Sequence, residues 1–120
     1  RVDYLAIPAV IYTKPEVATV GETLESAKAH GIDAEEHKLT LKYSGRYVAE
    51  VEGGDGFVKI VIEKTHKKVI GVHMIGSYAS EIIYGAAAMV ASEQRVTDVQ
   101  KLVFPHPTVC EVIREGMFTF

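Results

Sequence analysis

The strongest constraint on the fold is a pair of β-branched runs, residues 57–63 and 69–75, joined by the polar residues 65–68. Runs of Val, Ile and aromatic residues bounded by a polar turn are typical of β-strands. Because only a short turn separates the two runs, we predict that they pair as an antiparallel hairpin. Any fold for this chain must therefore contain an antiparallel sheet.

Further strands are predicted on the N-terminal side of this hairpin. Residues 9–12 and 17–20 are short β-type runs that form a pair around a turn at Pro15. Residues 35–43 alternate loosely between polar and apolar side chains, which suits a half-buried strand, and residues 47–52 are predicted to continue the sheet. One face of the alternating strand carries His37, Leu39, Leu41 and Tyr43.

Helices are predicted mainly in the C-terminal half. Thr23 is expected to cap a helix of about two turns that ends before Gly31. Residues 78–92 are rich in Ala, Ile and Met without Pro, and capping boxes at 97–100 and 108–111 predict two more helix starts. Strands in the middle and helices at the end, without βαβ alternation, indicate the α+β class: a central antiparallel β-sheet flanked by helices.

Composition excludes several classes of function. The chain has 120 residues, enough for one domain, and its 13 Lys and Arg residues are interleaved with 16 Asp and Glu residues for a net charge of -3. Nucleic acid and membrane surfaces are therefore not expected partners. No apolar run reaches the ~20 residues of a spanning helix, and the start has no signal-peptide layout. Because the chain begins at Arg1 without a methionine, we expect it to be a piece of a longer protein.

Residue types that bind metals or phosphates are present without the required spacing. The histidines show no i,i+4 pair, and the single cysteine, Cys110, excludes a CxxC site, so no metal centre is expected. His73 lies inside a predicted strand, where a hydrogen-bonded structural histidine is more common than a ligand. The glycine cluster at 53–56 precedes a strand and not a helix, so we interpret it as a turn and not as a phosphate loop.

The segment 104–111 differs because two prolines flank His106 just before a predicted helix start. Proline makes the approach rigid, and the bond to Pro107 is of the kind that can be cis. In one interpretation Glu111 accepts the Nδ1 hydrogen of His106 and leaves Nε2 free to take a proton, as a His–Glu dyad. In the other, Glu111 folds back to the Thr108 backbone as a helix cap worth about 1 kcal/mol. Spacing alone favours the cap, because capping boxes are common.

Three motifs in chain order resemble one family. They are YTKPEVAxVG at 12–21, GVHMIG followed by ASEII within 71–83, and HPTxxE at 106–111. Together they resemble the lipoamide dehydrogenase branch of the flavin disulfide reductases, the class I pyridine nucleotide-disulfide oxidoreductases. The resemblance extends over residues 1–120 but only to the C-terminal dimerisation, or interface, domain, and the FAD- and NAD-binding domains of that family are absent from this sequence.

The resemblance implies a homodimer with shared active sites. By resemblance His106 is the catalytic acid/base and Glu111 orients it, acting in trans on the redox cysteines of the other subunit. The backbone at His106 and Pro107 would lie against the partner's FAD. The reaction implied for the full-length enzyme is oxidation of dihydrolipoamide to lipoamide with NAD as the electron acceptor. The isolated domain is expected to be inactive and to bind neither FAD nor NAD.

The resemblance also implies partners and a compartment. Lipoyl domains of 2-oxo acid dehydrogenase complexes or of the glycine cleavage system would be the substrates, in the bacterial cytoplasm or the mitochondrial matrix. Two alternatives stay open: the equivalent domain of a glutathione reductase-like enzyme, which shares the His-Pro-Thr signature, and a freestanding dimerisation module without catalytic activity. The sequence departs from many lipoamide dehydrogenases at Phe104, Pro105 and Cys110. The alanines of helix 78–92 are interpreted either as interface or, more commonly, as core.

Overall fold

The computed structural model describes residues 6–13, 15–41, 56–101 and 111–120. In these residues the strands form one five-stranded antiparallel sheet in the order β1-β2-β5-β4-β3, accompanied by four helices. The predicted α+β class is confirmed. In chain order the elements are β1 (Ala9–Ile11), β2 (Val17–Gly21), α1 (Leu24–Ala29), β3 (Ala34–Thr40), β4 (Phe57–Glu63), β5 (Lys68–Ile75), α2 (Ala79–Ala91), α3 (Val96–Gln100) and α4 (Glu111–Met117).

The predicted strand pairs are confirmed. β4 and β5 form the antiparallel hairpin at the centre, and β1 pairs with β2 around the proline turn. β2 then pairs with β5, and β3 pairs with β4 at the edge of the sheet. β3 is shorter than predicted because the chain leaves the strand after Thr40, although Leu41 is still buried. Tyr43 and the predicted strand at 47–52 lie outside the described residues.

The two faces of the sheet have different surroundings. Side chains on the first, which we call the closed face, are nearly all fully buried, and they are aligned by the register of β2, β5, β4 and β3. They join residues of α2, α3 and α4 in one hydrophobic cluster, so these helices cover this face. The strand members of the cluster that share this face include Ala18, Val20, Leu39, Val58, Ile60, Val72 and Met74.

The opposite face, which we call the open face, is only half covered. Its register rows place Thr19 beside His73 and His73 beside Lys59. The first turn of α1 borders this face, where it lines a cleft of about 510 Å³ together with strand residues. α1 has the predicted caps: Thr23 accepts a hydrogen bond from the Ser26 N–H, and Gly31 after the helix has a φ of +74°.

A register shift in the central hairpin explains its burial pattern. Val61 pairs with Gly71, but the next residue, Ile62, pairs with Val69, so β5 contains one extra residue at Ile70. This extra residue lets Val69 and Val72 both point toward the core although they are three positions apart. Plain alternation along β5 would have placed one of them on the open face.

The capping box predicted at Thr97 is wrong in its register. The helix is present, but α3 begins at Val96, and the Arg95 N–H donates to the Asp98 carboxylate at 3.0 Å. Backbone hydrogen bonds with the end of the β4–β5 hairpin pull the helix start earlier, since the Val96 N–H donates to Lys67 O at 2.8 Å and Val96 is buried. Thr97 therefore lies within the first turn and does not cap it.

The helix predicted at 78–92 is confirmed as α2, Ala79–Ala91. Its alanines divide between two environments. Ala86 and Ala87 are buried in the core, whereas Ala88 and Ala91 are exposed. One side of the alanine-rich stretch therefore packs in the core, and the opposite side is exposed.

Candidate functional site

Two of the motifs that carry the family resemblance are joined in the structure. The Glu16 side chain, in the turn before β2, accepts hydrogen bonds from the Ser80 N–H at 3.2 Å and the Ser80 hydroxyl at 2.9 Å. The Glu16 carbonyl accepts from the Gly76 N–H at 2.9 Å. A carboxylate at a helix start satisfies N–H groups that have no partner within the helix. The β1–β2 turn thus fixes the start of α2.

The third motif lies mostly outside the described residues. His106, Pro107, Thr108 and Cys110 are in the segment 102–110, and of Glu111 only the main chain is described, as the first residue of α4. The predictions that His106 and Glu111 are catalytic, and that His106 and Pro107 contact a cofactor, therefore stay predictions. The structure describes the element that directly follows this segment, the helix α4.

α4 is a firmly seated helix. Val112, Ile113 and Met117 of α4 are buried in the main core. At Gly116 a Cβ atom would overlap the side chain of Ile60 on β4, so the glycine lets the helix approach the sheet closely. The Gln100 side-chain amide donates to the Met117 carbonyl at 2.9 Å and ties the end of α3 to the end of α4.

The C-terminal end of α4 is also tied to β3 through His37. The Nδ1 of His37 lies 2.7 Å from the Thr119 hydroxyl, and its Nε2 lies 2.7 Å from the Glu35 carboxylate. The imidazole stacks on the Phe120 ring at 3.9 Å between centroids and 12° between planes. The prediction that His37 shares a strand face with Leu39 and Leu41 is consistent with the burial of both leucines. The contacts to Thr119 and Phe120 were not predicted.

His73 has the structural role that was predicted for it. Its Nε2 lies 2.8 Å from the Glu22 carbonyl, and its Nδ1 lies 2.7 Å from the Thr19 hydroxyl. A carbonyl oxygen only accepts, so Nε2 carries the hydrogen, and in the neutral ring Nδ1 accepts from Thr19. Both ring nitrogens are thus engaged, and His73 contributes a fixed polar bridge on the open face.

Glu22 is a buried carboxylate that sequence analysis missed. It is 5% exposed, it accepts a hydrogen bond from the Ser26 hydroxyl, and its Oε1 lies 2.9 Å from His30 Nδ1. The Glu22 backbone passes so close to β5 that a Cβ on Gly71 would overlap it, and its carboxylate contacts Ser26 and His30 at the two ends of α1. The only local signal was Gly21 directly before it, a glycine with a φ of +76°.

Glu63 holds the turn of the central hairpin. Its carboxylate accepts from the His66 N–H at 2.8 Å and lies 3.2 Å from His66 Nδ1. Partial burial alone would raise the pKa of Glu63, but the backbone N–H groups of His66 and Thr65 and the charge of His66 together hold this pKa below its usual value. The arrangement is typical of a structural turn.

Neither a metal cluster nor a membrane-spanning helix is found among the described residues. Across 6–13, 15–41, 56–101 and 111–120, no three His, Cys, Asp or Glu side chains are grouped so that they could hold a metal ion. In the same part of the chain, none of the helices has the length and apolar character needed to cross a membrane. The glycine cluster is described only at Gly56, which leads into β4 and not into a helix, as predicted.

The sequence matches a known family over nearly its whole length. The family model described as pyridine nucleotide-disulphide oxidoreductase, dimerisation domain, matches residues 7–117. The mitochondrial dihydrolipoyl dehydrogenase of Pisum sativum is 37% identical over 116 residues, which are 97% of this chain and 23% of that protein. The dihydrolipoyl dehydrogenase of Trypanosoma brucei brucei is 39% identical over 97% of this chain and 24% of its own length.

Solved structures agree with this match. LpdA from Mycobacterium tuberculosis superposes with a TM-score of 0.86 and 26% identity, covering 98% of this chain and 26% of that one. The HOCl-induced flavoprotein disulfide reductase RclA from Escherichia coli superposes at 0.85, but its 18% identity supports the fold alone. The chain spans about a quarter of the length of the relatives it matches. From the fold, the joined motifs and the family match, the chain belongs to the dimerisation-domain family of the pyridine nucleotide-disulphide oxidoreductases.

Proposed function

We propose that this domain supplies the acid/base dyad of a dihydrolipoamide dehydrogenase, with His106 as the base and Glu111 as the group that orients it. In a homodimer the dyad would act in trans, on the redox disulfide beside the FAD of the partner subunit. The observation that carries the proposal is the seating of α4, which places Glu111 in the first turn of a helix held by the core. The identity to dihydrolipoyl dehydrogenases over 97% of the chain supports the same role.

The proposed chemistry needs a base. A thiol with a pKa of about 8.5 is mostly protonated at neutral pH, and only the thiolate attacks a disulfide. His106 Nε2 would take the proton from one thiol of the reduced lipoyl group, and the thiolate would attack the enzyme disulfide to form a mixed disulfide. The second lipoyl thiol would then close the lipoyl ring, leaving the enzyme cysteines reduced. Glu111 would stabilise the imidazolium that forms.

FAD and NAD are proposed to bind mainly to other domains of the full-length protein. In the described part of this chain, Gly56 leads into a strand, and the start of α1 is closed by the side chains of Thr23 and Ser26. Neither offers the glycine-rich helix start that a dinucleotide needs. The contribution of this chain to the flavin would be the main chain at His106 and Pro107. When bound, FAD supplies the electron transfer from the reduced cysteines to NAD.

The proposed partners are a second copy of this chain and lipoyl domains. The match to a dimerisation domain supports the homodimer. Several large apolar side chains are exposed on the described surface and suit burial against another chain, among them Ile11, Tyr12 and Tyr84. The lipoyl domains would belong to 2-oxo acid dehydrogenase complexes or to the glycine cleavage system, in a bacterial cytoplasm or a mitochondrial matrix.

The base is tested by His106→Ala in the full-length protein. General-base help is worth roughly 10²- to 10⁴-fold, so dihydrolipoamide oxidation should slow by a factor in this range while flavin content stays constant. His66→Ala is the matched control, because His66 is an exposed histidine at the far end of the hairpin. Dihydrolipoamide turnover in His106→Ala that equals the turnover of His66→Ala would contradict the proposal.

The role of Glu111 is tested by comparing two variants. If Glu111 orients His106, Glu111→Gln should slow turnover with little change in melting temperature, and Thr108→Ala should leave turnover near wild type. If Glu111 is only a helix cap, Glu111→Gln should retain both turnover and melting temperature, since the side-chain oxygen of Gln can still accept from the Thr108 N–H, and only Thr108→Ala should lower the melting temperature. The comparison separates catalysis from capping because only the dyad depends on a carboxylate near His106.

A further inference from the structure

We infer that His37 is a positioning residue for the catalytic segment: it fixes the C-terminal end of α4 to β3 and thereby sets where Glu111 lies. The inference rests on the proposed function of the His106–Glu111 dyad. His37 is far from that dyad along the chain, and nothing in the family motifs includes it. The structure connects it to α4 through a continuous series of hydrogen bonds.

The series runs from β3 to the last turn of α4. Glu35 and Thr119 flank the two ring nitrogens of His37, each at 2.7 Å. The Thr119 hydroxyl in turn donates to the Gly116 carbonyl at 2.6 Å, and the Thr119 N–H donates to the same oxygen at 3.1 Å. Carbonyls in the last turn of a helix have no partner within the helix, so these bonds complete its C-terminal end.

The direction of the bond to Glu35 follows from its chemistry. A carboxylate only accepts, so His37 Nε2 carries the hydrogen of that bond. The Thr119 hydroxyl lies within hydrogen-bond distance of both His37 Nδ1 and the Gly116 carbonyl, so it joins the imidazole to the last turn of α4. Stacking on Phe120 then holds the ring plane in the orientation that both bonds require.

α4 is short enough to move as one rigid body, so contacts at its C-terminal end affect the position of Glu111 at its start. Seven helical residues span only about 10 Å. The C-terminal end of the helix is held from three sides: by His37 through Thr119, by Gln100 at the Met117 carbonyl, and by Ile60 against Gly116. Loss of one of these contacts should let the helix shift on the sheet, and a shift of an ångström at a catalytic group has large effects on rate.

The test uses two substitutions that separate the two contacts of the His37 ring. His37→Phe keeps a flat ring to stack on Phe120 but removes both ring nitrogens and their hydrogen bonds. His37→Asn removes the ring but places a side-chain amide near the position of Nδ1, so it can still form a hydrogen bond with Thr119. His66→Phe is the matched control, since it breaks a His–Glu pair of the same kind on the β4–β5 turn. All variants are made in the full-length protein.

The expected result is a change in kcat with a distinct pattern. One hydrogen bond is worth about 0.5–1.5 kcal/mol, so His37→Phe should lower kcat for dihydrolipoamide oxidation by about 2- to 10-fold and leave the KM for NAD unchanged. His37→Asn and His66→Phe should retain kcat. A kcat for His37→Phe equal to wild type, or equal losses in His37→Phe and His66→Phe, would overturn the inference.

Hydrogen exchange of the α4 amides tests the contact between His37 and α4 without relying on the proposed catalytic function. His37→Phe should lower the protection of these amides, and His37→Asn should restore it. Unchanged protection in His37→Phe would overturn the inference whatever the kinetics show. If protection falls but kcat does not, while His106→Ala abolishes turnover, the positioning role is wrong and the dyad stands. If His106→Ala has no effect, the proposed dyad is wrong, and with it the positioning role, although the tie to α4 would remain measurable.

Discussion

The closed and open faces of the sheet are made by the same strands but are held by different interactions. On the closed face, neighbouring strands contribute Ala18, Met74 and Val58, each 1% exposed or less. On the open face the corresponding positions are Thr19, His73 and Lys59, which are only partly buried, and Thr19 and His73 are joined by a hydrogen bond. One face is therefore a core and the other a polar surface with apolar side chains between its charges.

This difference shows how one strand serves two purposes. Successive residues of a strand point to opposite faces, so β5 alternates between core residues and half-buried polar or apolar ones. On the open face Lys38 Nζ lies 4.1 Å from the centroid of the Phe57 ring, a contact that covers part of an otherwise exposed aromatic side chain. Burial of apolar area should dominate the stability of the closed face, and single polar contacts that of the open face.

The largest expected effect compares adjacent residues of β5. Met74→Ala should lower the free energy of unfolding by about 2–5 kcal/mol, because it opens a cavity among fully buried side chains. Ile75→Ala, one residue further on the open face, should cost only about 1 kcal/mol, because the side chain is only partly buried. Urea unfolding of both variants measures the two losses. Equal losses would show that the open face is packed as tightly as the core.

The second comparison concerns the polar bridge of the open face. Thr19→Val removes the hydroxyl that donates to His73 Nδ1 and should cost about 1 kcal/mol, because the shape is kept and one hydrogen bond is lost. Thr97→Val, at an exposed position of α3, is the control and should change stability by less than about 0.5 kcal/mol. If the two variants lose the same amount in urea unfolding, the His73 bridge does not stabilise the open face.

Much of this fold was predictable because its signals are local. The β4–β5 hairpin follows from two β-branched runs and a polar turn, and the start of α1 follows from Thr23 as a capping residue. Features that depend on contacts between distant segments were not predictable. The extra residue at Ile70 and the start of α3 at Val96 are set by pairing partners that no local pattern identifies.

The candidate site divides in the same way. His106 and Glu111 are candidates that a motif and a family resemblance predict, and the helix predicted at the end of this motif is present as α4. The residues that hold α4 in place could not be found from sequence, because His37 and Thr119 are 82 positions apart. The sequence pattern of β3 also does not show which ring nitrogen of His37 contacts Thr119 and which contacts Glu35. A local motif gives the residue types of a candidate site, whereas the position of those residues in the fold depends on contacts with segments that are distant in sequence.

The smallest expected effect concerns the hairpin turn, which belongs to neither face. The pKa of Glu63 is held below its usual value by the backbone N–H groups of the turn, working against partial burial, so folding favours the charged carboxylate. A group with a lowered pKa in the folded state stabilises the protein above its unfolded pKa of about 4.3, and this stability is lost as the pH falls through the folded pKa.

Glu63→Gln should therefore destabilise the chain at pH 7 by less than Thr19→Val does. The difference from wild type in urea unfolding should shrink as the pH falls below about 4. Glu93→Gln, which removes an exposed ion pair with Lys68, provides the baseline at neutral pH. A difference for Glu63→Gln that grows toward acid pH would show that the unfolded chain, and not the folded turn, holds the charged carboxylate more strongly, and the hairpin turn would then add nothing to the stability of either face.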